Sequence, residues 1–418
     1  MTEHAVAAQV GALRERGRAL AKRPRKEIID ALARVLESWR NPSSPWRIEL
    51  ESQLPDATGF RAPTVREGLE RALAHWTGDA LEALVARELE PSASTRYTGF
   101  EVTALLLAGS IPMPGLLAML GPLALGSALL VRPASRDPVT ARLVTQSIAE
   151  IDPELGRCIG EVHFPHDDED AMEAFLESDC TVAYGSDPTI ARIARRLPPS
   201  RRLVAHPHRL SLAVLGESAT RGSALETAAA GIALDTALWD QQGCLSPLAV
   251  FVLSADAEAP DRVADALATA LTAAEQHWPR GSVTPAAASV IAQERDTAML
   301  RESASGRVRV LTPAGGAFTV VREQDCQLRA APLHRFLRVH PAPDADALER
   351  GIAPYARHLA GVAHAGLAPD AIQLLVRTGA SRLCAPGILQ CPPLDWHHDG
   401  MPVLTPMARI TDIEPTRG

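Results

Sequence analysis

The stretch from Val102 to Val131 restricts this chain more than any other: 30 consecutive residues carry no charged side chain. As one helix, such a run is long enough to cross a bilayer. It is interrupted, however, by Gly109, Pro112, Pro114, Gly115, Gly121, Pro122 and Gly126, and lipid offers nothing to re-satisfy so many broken backbone groups. It reads instead as a buried strand (102–107), a turn (108–114), a short helix (115–125) and a second buried strand (128–131). Both strands are uncharged and, but for Thr103, apolar, as a parallel sheet covered on both faces requires. The expectation is therefore a β-α-β unit and no membrane span.

The surroundings of that unit set the fold class. Residues 1–95 carry amphipathic helical patterns such as EIIDALARVLESW and VREGLERALAHW, with apolar positions three and four apart. After them strand and helix patterns alternate: GEVHF, DAMEAFLES, CTVAYGS, PTIARIARRL and the strand-rich RRLVAHPHRLSLAVL. This alternation predicts a doubly wound α/β fold. A nucleotide-binding domain with its N-terminal helices is expected over 1–204, a catalytic α/β domain over 205–390, and a Pro-rich extension of loop and edge strand over 391–418. A chain of 418 residues has room for that many units. Its formal net charge of -8 argues against a nucleic-acid partner, which would need a local excess of Lys and Arg. The basic run Arg14–Lys26 reads as a solvated helix face. Six cysteines without a CxxC pair, and no signal-peptide pattern at the N-terminus, point to a reducing cytoplasm.

Cys244 is the strongest candidate nucleophile. It lies in WDQQGCLSP, between a long helix (223 to about 240) and the strand LAVFVL. Gly243 permits an unusual backbone angle, Pro247 fixes the exit, and Gln241 and Gln242 argue against a sealed core. Amide N–H groups at such a junction can aim at an acyl adduct. The other five cysteines read as small buried apolar residues. HFPHDDED and DWHHD bring His and Asp together but read as exposed loops, so no metal site is expected.

Four elements in order resemble the aldehyde-dehydrogenase superfamily: the turn AGSIP, GSALLVRPASRDP, VAYGSDPTIARIA and WDQQGCLSP. They span roughly residues 98–250. Within that superfamily AGSIP, HRLS and DQQGCLSP are most similar to the LuxC-type acyl-CoA reductases of bioluminescence operons. The resemblance implies an aldehyde-dehydrogenase-like fold with a Rossmann-type nucleotide-binding domain. It also implies NAD(P)H-dependent reduction of an acyl thioester, from CoA or an acyl-carrier protein, to an aldehyde through an acyl-cysteine, in a homo-oligomer. A superfamily oxyanion Asn is replaced by Ser110. The carboxylate that activates water in aldehyde oxidisers is missing, with His206 or His208 in the corresponding strand. Losing that base suits a reductase, which must keep water from the acyl-cysteine. The alternatives are a cysteine acyltransferase or thioesterase without nicotinamide, and an aldehyde-oxidising dehydrogenase with a histidine base. Where the superfamily carries K-P-S-E, this chain has Arg132, Pro133, Ala134, Ser135 and Arg136, a pattern that suits a 2′-phosphate and so NADPH, with NADH second. Gly185 and Ser186 are expected to meet the cofactor through backbone N–H groups at a helix start.

Overall fold

The computed structural model describes residues 1–90 and 94–414. Parts of the expected helical region (91–93) and of the expected C-terminal extension (415–418) lie outside the described residues. Five helices lead the described chain: Glu3–Leu20, Arg25–Arg40, Pro45–Thr58, Ala62–Leu73 and Gly78–Leu89. The helix Arg25–Arg40 shows why. Ile28, Ile29, Leu32, Val35, Leu36 and Trp39 fall on one face, and all are buried. Each such side chain contributes about 1.5–3 kcal/mol when removed from water. The Trp39 indole also donates to Ser147 at 3.0 Å, which ties this helix to the one over Thr140–Ile151.

The basic run is solvated in part, with Arg16, Arg18, Lys22 and Lys26 exposed and Arg14, Arg23 and Arg25 half-buried. Arg14 donates to the Glu177 carbonyl and Asp179, Arg16 to the Arg157 carbonyl, Arg18 to Glu101, and Arg23 to Asp152. Arg25 reaches the Leu89 and Tyr97 carbonyls. Guanidiniums on long stems bridge the first helices to the sheet unit behind them, because that unit presents carbonyls and carboxylates at its edge.

The strand β1 (Thr95–Gly99) is followed by β2 (Val102–Leu106), β3 (Ala128–Arg132), β4 (Ile159–Glu161), β5 (Cys180–Tyr184) and β6 (Arg202–His206). The last five form a wholly parallel sheet of order β4-β3-β2-β5-β6. The uncharged run supplies β2, the helix Pro112–Ala124 and β3. Every residue of β2 is buried. A second sheet holds β7 (Leu210–Gly216), β8 (Pro247–Leu253), β9 (Arg309–Leu311), β10 (Thr319–Arg322), β11 (Phe336–Ala342), β12 (Leu359–Ala365) and β13 (Arg382–Cys384). Its order is β13-β12-β7-β8-β11-β10-β9, with β9 alone antiparallel to its neighbour. The chain passes between the sheets over Pro207–Arg209, where proline removes a ladder donor.

The C-terminal stretch is loop and strand, as expected, and it lies across the first unit. After β13 it returns across the first unit and ends in β14 (Ala408–Asp412), paired antiparallel with β1 from Gly99↔Ala408 to Thr95↔Asp412. Glu88 accepts the N–H groups of Val403, Leu404 and Thr405, and Trp76 donates to the Pro392 carbonyl. This path carries the stretch over the cleft between the sheets. Among the described residues no helix is long and apolar enough to cross a membrane.

Candidate active site

The loop that carries Cys244 begins with backbone that resists formation. Trp239, Asp240 and Gln241 are consecutive left-handed residues, with φ of 55°, 49° and 62°. None is Gly, so each costs on the order of 1–2 kcal/mol. The loop is over-determined in return. Asp240 accepts from Arg335 at 2.7 and 3.0 Å and from the Gly281 N–H at 2.9 Å. The Gln241 amide imitates a strand, donating to the Pro247 and Phe336 carbonyls while accepting the Phe336 N–H. Trp239 packs edge-on against Phe60, and a Cβ at Gly68 would lie 2.2 Å from its ring. Leu333, His334 and Arg335 form a second left-handed run, so two improbable turns are clasped together by one buried ion pair.

Two expectations about this loop are corrected by its geometry. Gln241 is completely buried yet polar, because three backbone groups satisfy it. The unusual angles fall on Trp239–Gln241, whereas Gly243 is needed for closeness: a Cβ there would come within 3.0 Å of Gln390 Oε1 and Ile111 Cδ1.

Cys244 then faces an apolar pocket with an empty volume of about 1130 Å³, its open mouth included. Met113, Leu117, Ala118 and Gly121 line one side, and Pro392, Trp396, Met401, Val403 and Met407 of the C-terminal stretch line the other. Among the described residues no Asp or Glu lines it. The Cys244 carbonyl is fixed by the Ser211 hydroxyl at 2.8 Å. Burial, reinforced by the charge of Asp399, pushes the Cys244 thiol up to about 11, although the backbone N–H groups of Cys244 and Leu245 and the charge of Arg209 act the other way. Those two N–H groups are placed to hold charge on the sulfur or its adduct. Burial pushes Cys180 and Cys391 to about 12 and Cys384 to about 11, and none of these lines the pocket.

The two histidines separate cleanly. His206, the last residue of β6, lines the pocket. His208 is exposed, outside the pocket, with its backbone N–H on Asp187. A third histidine comes from DWHHD, which is not an exposed loop as a whole. His398 lines the pocket, and the Asp399 side chain is 2% exposed. Asp399 accepts from His206 Nδ1 at 2.8 Å and from Arg209 Nε at 2.6 Å. His206 stacks on Tyr184 at 4.4 Å and on His398 at 4.5 Å. Burial, together with His206, keeps His398 neutral, down at about 4. A Trp-His-His-Asp cluster inside a Pro- and Met-rich stretch is a poor solvated loop, and that signal was present in the sequence.

The remaining candidates spread over two places. Ser110 is buried behind the pocket wall, its hydroxyl donating to Gln242 Oε1 at 3.4 Å, and Arg136 donates to the same oxygen at 2.9 Å. Both therefore brace the loop that carries Cys244. Arg132, at the C-terminal end of β3, lies over Phe164 and donates to its carbonyl. Burial and the nearby charge of Arg192 lower its pKa, and no carboxylate among the described residues pairs with it. Gly185 and an exposed Ser186 begin the helix Asp187–Arg196, where Ser186 and Thr189 hydroxyls are 3.0 Å apart. Arg132 without a carboxylate partner, Arg192 with Glu169 at 3.9 Å, and exposed hydroxyls meet at the C-terminal edge of a parallel sheet, where a dinucleotide would be held. Ser135 is exposed there too.

A cysteine loop, an apolar pocket and a parallel sheet of the dinucleotide-binding type together have the fold of the aldehyde dehydrogenases. That fold is shared with an NADP-dependent glyceraldehyde-3-phosphate dehydrogenase from Bacillus halodurans (TM-score 0.76, 12% identity, 99% of this chain and 91% of that one). It is shared equally with an NAD-dependent benzaldehyde dehydrogenase from Corynebacterium glutamicum (TM-score 0.75, 16% identity, 99% and 90%). Residues 20–410 match the family described as acyl-CoA reductase (LuxC), and the chain belongs to that family. Curated relatives include the long-chain acyl-protein thioester reductases of Vibrio harveyi (30% identical over 145 residues, 34% of this chain and 30% of that one) and Photorhabdus laumondii subsp. laumondii (26% over 152 residues, 35% and 31%). The match thus spans about a third of each relative's length.

Proposed function

We propose that the protein reduces a fatty acyl thioester to an aldehyde through an acyl-Cys244 intermediate. The observation that carries this reading is an apolar pocket that ends on Cys244 and is lined by no carboxylate. Cys244 Sγ attacks the thioester carbonyl, and the N–H groups of Cys244 and Leu245 hold the oxyanion. The departing thiol belongs to CoA, an acyl-carrier protein or another acylated protein; the names of the curated relatives favour a protein-borne thioester. Arg132 and Arg192, with Ser135, Gly185 and Ser186, hold NADPH, which supplies the hydride when bound. The apolar lining holds the chain and keeps water from the acyl-cysteine, so hydrolysis is slow. The setting proposed is the cytoplasm.

The test runs the reaction backwards. Dodecanal and NADP⁺ are supplied with and without CoA, and NADPH and dodecanoic acid are both quantified. Sustained turnover is expected only with CoA, since the apolar lining keeps water from the acyl-cysteine and no carboxylate among the described residues lines the pocket to activate it. Rapid acid formation without CoA would overturn the reductase reading in favour of an aldehyde oxidiser.

A further inference from the structure

His206, His398 and Asp399 offer ligand atoms within 4.8 Å of one another, which invites a metal reading. The geometry opposes it. The two imidazoles are stacked at an interplanar angle of 13°, so their in-plane lone pairs run side by side and do not converge on one ion. Both Asp399 oxygens already hold donors, His206 on one and Arg209 on the other.

The same contacts describe a different device. Burial opposes a charge on Asp399, but the His206 hydrogen bond and the nearby Arg209 guanidinium help to outweigh it, and the carboxyl lies below its ordinary range. An ionised carboxylate can only accept. The proton on His206 therefore sits on Nδ1, and the lone pair sits on Nε2, for which no protein partner is found among the described residues. Tyr184 on β5 and His398 flank the ring face to face, so it cannot swing. Tyr184, His398, Asp399, Arg209 and Cys244 are the titratable and charged groups around it. His206 and Cys244 line the same pocket.

We propose that Asp399 is a positioning residue that locks His206 as the proton shuttle for acyl transfer to Cys244. This rests on the thioester reading. As Sγ bonds to the acyl carbon, Nε2 takes the thiol proton; as the carbon–sulfur bond to the donor breaks, the same proton passes to the leaving thiolate. The products are acyl-Cys244 and a free thiol, and His206 returns neutral. A thiol kept protonated in its resting state needs such a partner, because the thiolate is the nucleophile.

The test separates this step from reduction. Dodecanoyl-CoA is mixed with the full-length protein without nicotinamide, and acylation of Cys244 is timed by intact mass. Asp399→Asn and His206→Gln are each expected to slow acylation by about 10²-fold or more, and the double variant should be no slower than His206→Gln, since the pair acts as a unit. At pH 10, where the free thiolate is populated without help from His206, alkylation of Cys244 by iodoacetamide should not fall in either variant, and should rise in Asp399→Asn, where a negative charge near the sulfur is gone. A role confined to structure would lower both reactions together. Acylation within about threefold of the unaltered protein in folded His206→Gln, or losses that multiply in the double variant, would overturn the proposal. If Asp399→Asn does not fold, His206→Gln decides by itself. Acylation without aldehyde on adding NADPH sinks the reductase reading and leaves the shuttle standing. No acylation of the unaltered protein sinks both.

Discussion

The pocket has two unlike walls. The nucleophile wall, Trp239 to Cys244, is strained backbone clasped by the buried Asp240–Arg335 ion pair and a fully bonded Gln241. The C-terminal wall, 392–407, has no long helix or strand. It is pinned at intervals by Glu88, by Arg87 on Asp395, and by indole bonds from Trp76 and Trp396. Strain needs many fixed partners to persist, and it appears where a sulfur must be aimed. Methionines and prolines hung on a few anchors appear on the wall that, in the function proposed, meets the acyl chain. Met adapts its shape at low cost.

Five substitutions and one titration can break or sharpen this contrast. The largest effect is expected from Cys244→Ala, which should abolish acyl adducts by mass spectrometry while leaving melting and cofactor binding intact. Next comes the clasp. Arg335→Met leaves Asp240 buried without its cation, at a cost of about 3–5 kcal/mol, readable as a lower midpoint in urea; an unchanged midpoint would mean the left-handed turns hold without it. The titration follows. A thiol pushed up to about 11 is neutral at pH 7, and its charged fraction rises about tenfold per pH unit up to that value. Iodoacetamide labelling of Cys244 should therefore keep accelerating beyond pH 9, and a plateau below pH 9 would contradict it. On the softer side, Ala118→Phe should shorten the longest acyl-CoA used. About 0.8 kcal/mol is lost per methylene no longer buried, so kcat/KM for hexadecanoyl-CoA should fall roughly 10-fold or more against octanoyl-CoA. The smallest effect is expected at Arg136. Because it bonds to Gln242, Arg136→Ala should weaken NADPH binding less than Arg132→Ala does, as isothermal titration would show.

The contrast also marks what can be read from a sequence. The β2-helix-β3 unit was legible because an uncharged run broken by Gly and Pro admits few folds. Cys244 was legible from its junction and from the four family-like segments. The left-handed turns were not: the usual signal for positive φ is Gly or Asn, and here Trp-Asp-Gln and Leu-His-Arg are driven there by contacts with each other. His206 and His208 could have been told apart, since Pro207 ends the strand ladder between them. Asp399 was missed because its partners, His206 and Arg209, lie nearly two hundred residues earlier, at separations of 193 and 190 residues. Arg192 was missed because a guanidinium inside a basic helix face looks like any other.

The pairing of β14 with β1 sets an order of events during synthesis. On a ribosome the nucleophile loop, both sheets and His206 emerge while residues 392–412 are still to be translated. Until that last stretch crosses back onto β1 and Glu88, the cleft is an open trough, with Asp399 not yet on His206 and Cys244 bare to solvent. Completion of the site thus has to wait for residues 392–412. A nascent or clipped chain would carry a reachable but unassisted thiol, open to oxidants and electrophiles and poor at receiving an acyl group.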